Sequence, residues 1–154
     1  MSYEARLAEL DLQLPTMPKA LGLYRPVLVV GNLAYLSGHG PLRPDGSFVV
    51  GKAGAEMDVA AAKEAARLTA LASLASLKTH LGSLDRVGRL VKTMGLVNAT
   101  PDFVDHPAVI NGFSEVMRDV LGEEAGIAAR SAFGAVSLPA GWVVEIESVF
   151  ELAE

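Results

Sequence analysis

A lone arginine and two closely spaced glutamates lie in an apolar stretch, IAARSAFGAVSLPAGWVVEIESVFEL, at residues 127–152. Arg130 begins one predicted strand, and Glu145 and Glu147 lie in a second one after a Leu-Pro-Ala-Gly turn. Because an isolated charge is costly to bury, the guanidinium needs a partner. Two interpretations are open. Arg130 forms a structural ion pair with Glu145 or Glu147 on the neighbouring strand, or its planar fork binds a small carboxylate.

The two glutamates share one face of their predicted strand, because side chains two residues apart in a strand point the same way. Both carboxylates cannot be buried without partners. One of them could position a water molecule as a general base. The favoured interpretation of Glu147 is a solvated or ion-paired carboxylate.

A glycine-rich segment, LSGHGP at 36–41, ends another predicted strand. Glycine has no Cβ, so backbone N–H groups there could approach a ligand closely, and Ser37 could add a hydroxyl donor. A simple bend after a strand explains the same residues. The segment is a poor phosphate loop, because no Lys-Ser/Thr pair follows and no helix begins there. Ser37 and His39 could belong to a Ser-His-Asp triad, but no nucleophile-elbow pattern supports one.

The three histidines, His39, His80 and His106, do not have the spacing of metal ligands. The chain contains no cysteine, which excludes disulfides, thiolate zinc sites and cysteine nucleophiles. His39 alone lies near candidate chemistry, and its favoured interpretation is structural. We therefore expect no metal site.

Length and composition indicate one domain. The chain has 154 residues, of which 51% are hydrophobic and 20% are charged, within the range of a single domain. Its net charge is −5 and it has no lysine/arginine cluster, so nucleic acid is not an expected partner. The charged N-terminus does not have the pattern of a signal peptide, and the stretch 58–81 contains too many charges to span a membrane. We expect a cytoplasmic protein.

Hydrophobic periodicity and turn residues predict the order of the elements. A short helix at 3–11 precedes an extended segment, and Gly31-Asn32 marks a hairpin. PLRPDGSFVV, at 41–50, predicts a second hairpin. Further predictions are a strand at 87–99, a long helix at 58–81 with Asp58 as N-cap and Gly82 as its stop, and a long helix at 105–122 with Asp105 as N-cap and Pro107 in its first turn.

The predicted fold is α+β, with about six strands and two long helices that can cover only one face of the sheet. Alternation in the last strand places Trp142, Val144, Ile146, Ser148 and Phe150 on one face and Val143, Glu145, Glu147 and Val149 on the other. In the strand at 87–99 it places Val87, Val91 and Val97 opposite Leu90, Met94 and Leu96. A sheet that is apolar on both faces needs a partner for the face without helices, so we expect an oligomer.

Four segments resemble the Rid family, the reactive-intermediate deaminases, also called YjgF-like and formerly L-PSP endoribonuclease. They are GLYRP (22–26), GNLAYLSGHGP (31–41), RLVKTMGLVNATPDF (89–103) and ARSAFGAVSLPAGWVVEIE (129–147). The last is the most specific, with an Ala-Arg-Ser strand, a Leu-Pro turn and an alternating acidic strand. The resemblance implies one domain over 1–154, with a core at 20–152 and an N-terminal helix and extension at 1–18.

The resemblance implies a chorismate-mutase-like fold, a mixed six-stranded sheet with two long helices on one face. It also implies a homotrimer whose helix-free faces pack into a central barrel, with a ligand cleft at each subunit interface. Active members hydrolyse 2-imino acids such as 2-iminopropanoate and 2-iminobutanoate, which escape from pyridoxal-phosphate enzymes, to 2-keto acids and ammonia. They need no metal or other cofactor.

The resemblance also assigns roles to particular residues. Arg130 matches the arginine that binds the substrate carboxylate, and Glu145 matches the glutamate that orients the attacking water. Tyr24, Ser37 and Gly38 match residues that line the cleft.

Three positions depart from the family pattern. Ala132 replaces a frequent cysteine, at a position that acts mainly through its backbone N–H. Pro101 replaces a loop asparagine, which removes a side-chain amide and a backbone donor. His39 replaces the glutamine that follows Ser-Gly. Pro101 and His39 bear on which substrate the cleft accepts.

The leading hypothesis is therefore a cofactor-free hydrolase of small 2-imino or enamine acids. The alternative is a non-catalytic protein on the same fold that binds a small carboxylate metabolite or acts as an interaction module. Ribonuclease activity follows only from the former family label, and the acidic net charge opposes it.

Overall fold

A five-stranded sheet with helices packed against it organises the structure, a computed structural model that describes all 154 residues. The strands are β1 (Val27–Val30), β2 (Leu33–His39), β3 (Val87–Asn98), β4 (Ala129–Ala135) and β5 (Val144–Leu152). The helices are α1 (Tyr3–Glu9), α2 (Val59–Leu81), α3 (His106–Leu121) and α4 (Glu123–Gly126). The predicted α+β class is confirmed.

The strands lie in the order β1-β2-β5-β3-β4. Neighbouring strands are antiparallel except β3 and β4, which are parallel. Helix α2 connects β2 to β3, and α3 connects β3 to β4, as helical crossovers do. The two helices pack against each other and against the sheet. The last strand, β5, returns to lie between β2 and β3 at the centre.

Both long helices lie where the sequence predicts them. At the start of α2, Asp58 Oδ1 accepts a hydrogen bond from the N–H of Ala61 at 2.8 Å. Gly82 ends the helix with a φ of 85°, which glycine adopts without strain. In α3, Asp105 occupies the N-cap position as predicted, but its side chain makes no capping hydrogen bond. Asp105 has φ −88° and ψ 30°, not the extended conformation that usually turns an N-cap side chain towards the helix.

The second predicted hairpin, at 41–50, is a loop. Its two halves meet only at an isolated bridge between Leu42 and Phe48. Pro41 and Pro44 have no N–H to donate to a strand ladder, which explains why regular pairing does not develop. The sheet therefore has five strands and not the six predicted.

Strand β3 does not keep the alternation predicted for it. Its pairing with β5 shifts between Val87 and Arg89 and again between Leu90 and Lys92, as β-bulges do. A shift by one residue moves the following side chains to the other face. Leu90 is consequently buried, and Val91 is 40% exposed. Leu90, and not Val91, therefore shares the buried face with Val87 and Val97, which is the reverse of the predicted placement.

Strands β4 and β5 follow each other in the sequence but are not neighbours in the sheet. β3 lies between them, parallel to β4 and antiparallel to β5. The prediction that Arg130 lies on the strand next to Glu145 and Glu147 is therefore wrong, and the sheet neighbour of Arg130 is Thr93. The helical crossover through α3 allows β4 to pair in parallel with β3 at the sheet edge.

Alternation in β5 separates a covered face from an open one, as predicted. The residues of the covered face are buried: Val144, Ile146, Ser148 and Phe150. On the open face, Glu145 and Val149 are half-buried and Glu147 is exposed. Val143 was predicted on the open face but is 0% exposed. It precedes β5, and its N–H donates to the carbonyl of Val49 in the loop beside it.

The sheet face opposite the helices carries apolar side chains. The strand register aligns Leu28, Tyr35 and Val149 across β1, β2 and β5. The exposed apolar side chains on the strands are Leu28 (46%), Val30 (59%), Tyr35 (44%), Val91 (40%) and Phe133 (43%). An apolar patch of this kind is typical of an interaction surface. That other copies of the chain cover it stays a prediction.

The N-terminal segment is part of the folded domain. Leu7 of α1 is buried, and the Nε of Arg6 donates to the carbonyl of Asp119 on α3 at 2.9 Å. The N–H of Tyr3 donates to Asp85 Oδ1 at 2.8 Å. None of the helices combines the length and the apolar character that a membrane crossing requires.

Replacement of Gly112 by alanine is expected to destabilise the fold by about 1–3 kcal/mol, the usual cost of overpacking. Gly112 lies on α3, and a Cβ there would collide with the backbone carbonyl of Lys63 on α2. Urea denaturation measures the decrease in the free energy of unfolding. Glu115→Ala is the control, because it removes the 2.9 Å ion pair between Lys63 and Glu115 that joins the same helices. It should cost less than about 1 kcal/mol, and equal losses would contradict the prediction.

Candidate functional site

The side chain of Arg130 extends from the edge strand β4 to helix α3. Its Nη1 donates to Asn111 Oδ1 at 2.8 Å and to Ser114 Oγ at 3.2 Å. Its Nη2 donates to the carbonyl oxygen of Pro107 at 3.4 Å. All three partners are neutral, and none of the ion pairs in the chain includes Arg130. The interpretation of Arg130 as half of an ion pair with Glu145 or Glu147 is wrong.

The residues that hold Arg130 share one face of α3. Pro107, Asn111 and Ser114 follow a spacing of four and three residues, which places them above one another on a helix. The crossover from β3 to β4 brings this face next to Arg130. Sequence reasoning did not identify Asn111 and Ser114. Their spacing could have shown a polar stripe, but the target of the stripe depends on the parallel pairing of β4.

Arg130 belongs to the lining of a cavity of about 350 Å³. It is lined by Asn111, Ser114, Glu115, Arg118, Ile127, Ala128 and Arg130. Arg118 is paired with Asp119 at 2.7 Å. Glu115, which lines the same cavity, is paired with Lys63. Arg130 thus lines a cavity without an acidic partner of its own in the chain, and its guanidinium can bind an anion from outside the chain.

The side chain of Glu145 lies on the open face of β5, directly against the backbone of Gly38. A Cβ on Gly38 would lie 2.8 Å from Cδ and 2.9 Å from Cγ of Glu145, well inside the normal separation of carbon atoms. Only glycine therefore permits this approach. The Glu145 carboxylate belongs to none of the ion pairs in the chain.

Burial raises the pKa of the Glu145 carboxyl above its ordinary value, and the negative charge of Glu147 raises it further. Both effects disfavour the charged form. A carboxyl group with a raised pKa is better suited to take up and return a proton near neutral pH. The arrangement at Glu145 fits general acid–base chemistry.

A β-bulge brings Gly38 to Glu145. The pairing of β2 with β5 shifts between Leu36 and His39, so Ser37 and Gly38 occupy an irregular stretch with one extra residue. The segment that could have been a simple bend is therefore a bulge in contact with a candidate catalytic group.

The extended segment before β1 lies along the same bulge. The N–H of Ser37 donates to the carbonyl of Pro26 at 3.0 Å, and its Oγ donates to the carbonyl of Arg25 at 2.6 Å. Tyr24 directly precedes Arg25 and Pro26 in the sequence and is 51% exposed. The structure thus gathers Tyr24, Ser37, Gly38 and Glu145 in one region.

The histidines lie apart from one another. His39 is buried, and its imidazole is bonded to Ser76 on α2, which places the ring on the helix side of the sheet. His80 lies in the last turn of α2, and His106 lies against Gly134. No three His, Asp or Glu side chains are grouped so that they could hold a metal ion.

One chain does not bring all the predicted site residues together. Arg130 and Ala132 lie on the edge strand β4, and Pro101 follows β3. Glu145 lies two strands away, across β3, and on the opposite face of the sheet from α3. The candidate clamp and the candidate base are therefore separate within a single chain.

Comparisons with known proteins extend over nearly the whole chain. The family model described as "YjgF/chorismate_mutase-like, putative endoribonuclease" matches residues 4–151. Protein TCP17 of Trypanosoma cruzi is 36% identical over 148 residues, which are 96% of this chain and 92% of that protein.

Two crystal structures are similar over nearly their full length. Protein Atu1372 of Agrobacterium tumefaciens is 40% identical, with a TM-score of 0.88, and the match covers 98% of this chain and 92% of that one. A protein described as a "putative endoribonuclease" from Shewanella oneidensis is 29% identical, with a TM-score of 0.94, and the match covers 99% of this chain and 100% of that one. The match includes α1, so the N-terminal helix belongs to the shared domain. The chain is a member of the YjgF/Rid-like family.

Proposed function

We propose that this protein hydrolyses small 2-imino or enamine acids, such as 2-iminopropanoate and 2-iminobutanoate, to 2-keto acids and ammonia. The observation that carries the proposal is the Arg130 guanidinium, which neutral partners orient and no acidic side chain neutralises. Such a group is suited to bind a small carboxylate through two parallel hydrogen bonds. Membership of the family supports the reaction class.

The proposed site is completed between subunits. Arg130 and Glu145 lie on different strands and opposite faces of one chain, so a single cleft contains both only if two copies supply them. The open apolar face offers a surface on which copies can pack. In a homotrimer with a central barrel, each of the three clefts takes Glu145 from one subunit and Arg130 from the next.

Glu145 is the proposed general base. The substrate enters as the protonated imine. The ionised Glu145 carboxylate takes a proton from water as the oxygen adds to the carbon of the C=N bond, which yields a neutral carbinolamine. The protonated carboxyl then gives this proton to the nitrogen, and the C–N bond breaks as ammonia leaves. The Glu145 carboxylate takes the hydroxyl proton as the C=O bond of the 2-keto acid forms, and passes it to the departing ammonia or to solvent. Arg130 holds the substrate carboxylate throughout, so that the reacting carbon stays next to the water.

The remaining predicted residues shape this cleft. Ser37 and the backbone of Gly38 lie beside Glu145 and are placed to contact the substrate nitrogen or the water. Tyr24 forms the wall on the side of the extended segment. Ala132 contributes its backbone on the strand that carries Arg130.

An assay of keto-acid release tests the proposed function. An amino-acid oxidase generates the 2-imino acid, and addition of the purified protein should accelerate formation of the 2-keto acid. An unchanged rate would contradict the proposal. If a 2-keto acid raises the Tm of the parent but not of Arg130→Ala, and no turnover occurs, the protein is a carboxylate binder instead.

The variant Glu147→Gln is expected to shift the acidic limb of the kcat/KM profile to lower pH. Glu147 raises the pKa of Glu145 by charge repulsion, and removal of that charge lowers it again. Below the pKa of Glu145 the base is protonated and inactive, so the limb follows this pKa. The control is Glu151→Gln, a charge farther along β5 that does not contribute to the shift. Equal displacement by both variants would show a general effect of net charge.

A further inference from the structure

A buried histidine spans the bulge that carries Ser37 and Gly38. His39 is 5% exposed. Its Nδ1 lies 2.6 Å from the carbonyl oxygen of Ser37, and its Nε2 lies 2.7 Å from Ser76 Oγ on α2. A carbonyl oxygen can only accept, so Nδ1 carries a proton. Burial lowers the pKa of His39 and favours the neutral ring, in which Nε2 accepts from the Ser76 hydroxyl. The ring is thereby held in one tautomer and one orientation.

The bond from His39 fixes one particular peptide group. The carbonyl of Ser37 and the N–H of Gly38 belong to the same peptide unit, and no peptide bond in the chain is cis. In a trans peptide the C=O and N–H bonds point in opposite directions. The imidazole lies on the helix side of the sheet, bonded to Ser76 on α2, so the N–H of Gly38 points away from the ring.

We propose that His39 is a positioning residue: by holding the Ser37 carbonyl on the helix side, it aims the Gly38 N–H at the open face and keeps the Gly38 backbone against Glu145. The consequence for catalysis rests on the proposed function. The contact between Gly38 and Glu145 does not depend on it.

An apolar residue could fill the space of the imidazole but could not replace its bonds. Without the Nδ1 donor, the Ser37 carbonyl would be left without this partner next to the core, and a buried acceptor in that state is costly. The peptide would then turn to expose the carbonyl to solvent. That rotation moves the Gly38 N–H away from the open face and loosens the backbone next to Glu145.

The environment of Glu145 reports on this contact. Its neighbours on the adjacent strands, Leu96 on β3 and Gly38 on β2, are uncharged. The charged group that acts on it is Glu147, and Lys92 on β3 donates to Ser131 at 3.1 Å. Burial is the main reason that the pKa of Glu145 is raised, so loss of the Gly38 contact should lower it.

Two variants of His39 distinguish the effect of losing its hydrogen bond from the effect of changing its side-chain volume. His39→Leu fills the site without a donor. His39→Asn is smaller but places an amide nitrogen near the position of Nδ1 and can still donate to the Ser37 carbonyl. We expect the Glu145 pKa, followed by ¹³C NMR of the labelled carboxyl group, to fall in His39→Leu and to stay near the parent value in His39→Asn.

The same variants should differ in rate. Outright removal of one aligned donor costs about 10²–10³-fold in kcat. His39→Leu misaligns the Gly38 N–H without removing it, so we expect a smaller fall in kcat, about 10–100-fold, with KM changed less than about 3-fold. His39→Asn should stay within about 5-fold of the parent. If His39→Leu does not fold, His39→Met, which suits irregular core sites, takes its place.

Two results would overturn the role of His39. One is an unchanged Glu145 titration in the variant without a donor. The other is an equal defect in His39→Asn, which would show that ring volume matters and the bond does not. The titration needs no turnover, so an inactive parent with the expected titrations would refute the proposed function and leave the role of His39 standing.

Discussion

Arg130→Ala is expected to lower kcat/KM for 2-imino acids by at least about 100-fold. A bidentate contact with the substrate carboxylate contains two charge-assisted hydrogen bonds, each worth about 1.5–3 kcal/mol. Their sum, about 3–6 kcal/mol, corresponds to a factor between about 10² and 10⁴ in the specificity constant. Arg130→Lys keeps the charge but not the fork, so its loss should be intermediate.

The fold should tolerate the loss of Arg130. The side chain is partly exposed and bonds only to neutral groups on α3, so no buried charge is left without a partner when it is removed. Thermal unfolding should therefore change little while the rate falls. Arg67→Ala on the outer surface of α2 removes the same charge and should leave kcat/KM unchanged. An Arg130→Ala variant as fast as the parent would contradict the assigned clamp.

Local signals predicted most elements of this fold correctly, although the hairpin predicted at 41–50 is a loop. The Asp58 cap and the Gly82 stop define α2, and Gly31-Asn32 closes the β1–β2 hairpin between Val30 and Leu33. Each of these features depends on residues that are close in the sequence. The alternation of β5 was also readable, because its pattern is continuous and its centre is fully buried.

Non-local pairing was not predictable from the same signals. A short turn between β4 and β5 suggested a hairpin, but β3 separates the two strands. The choice depends on the crossover through α3, which no local pattern reveals. The bulges of β3 were hidden for a similar reason, since a bulge is a relation between two strands and not a property of one.

For the candidate site, too, local signals indicated the types of residue but not their arrangement. The chemical types of Arg130 and Glu145 indicated a carboxylate clamp and a base, and Gly38 indicated a close backbone approach. Their arrangement required the structure: Gly38 meets Glu145 only because of the β2 bulge, and Arg130 meets α3 instead of Glu145. His39 was interpreted as structural, and its burial agrees, but its place beside the bulge gives that structural role a consequence at Glu145.

Glu145→Gln is expected to lower kcat by about 10²–10⁴-fold, the usual contribution of a general base. The amide has nearly the same shape as the carboxyl but cannot take a proton from water. KM should change little, because Arg130 still binds the substrate carboxylate. The rate of the variant should also lose the acidic limb of its pH profile, since the titrating group is gone. A variant that keeps this limb would assign it to another residue.

The same substitution should change the pH dependence of stability in a known direction. The pKa of Glu145 is raised in the folded state, so the folded state binds more protons than the unfolded state between the ordinary pKa and the raised one. The stabilising contribution of the protonated Glu145 carboxyl is then fully present at low pH and is lost as the pH rises through this window. Glu145→Gln should therefore have a higher Tm than the parent at neutral pH and a similar Tm below the ordinary carboxyl range. A lower Tm at neutral pH would indicate that the carboxylate is paired in the assembly.

Mixed assemblies of the two inactive variants test whether adjacent subunits share the site. In a trimer formed at random from equal amounts of Arg130→Ala and Glu145→Gln subunits, about a quarter of the interfaces join an intact Arg130 to an intact Glu145. Co-refolding should therefore restore about a quarter of the parent activity, although each variant refolded alone stays inactive. If one chain supplied both residues to its own cleft, no interface could recover them together. The absence of any gain in mixtures with confirmed subunit exchange would contradict the shared site.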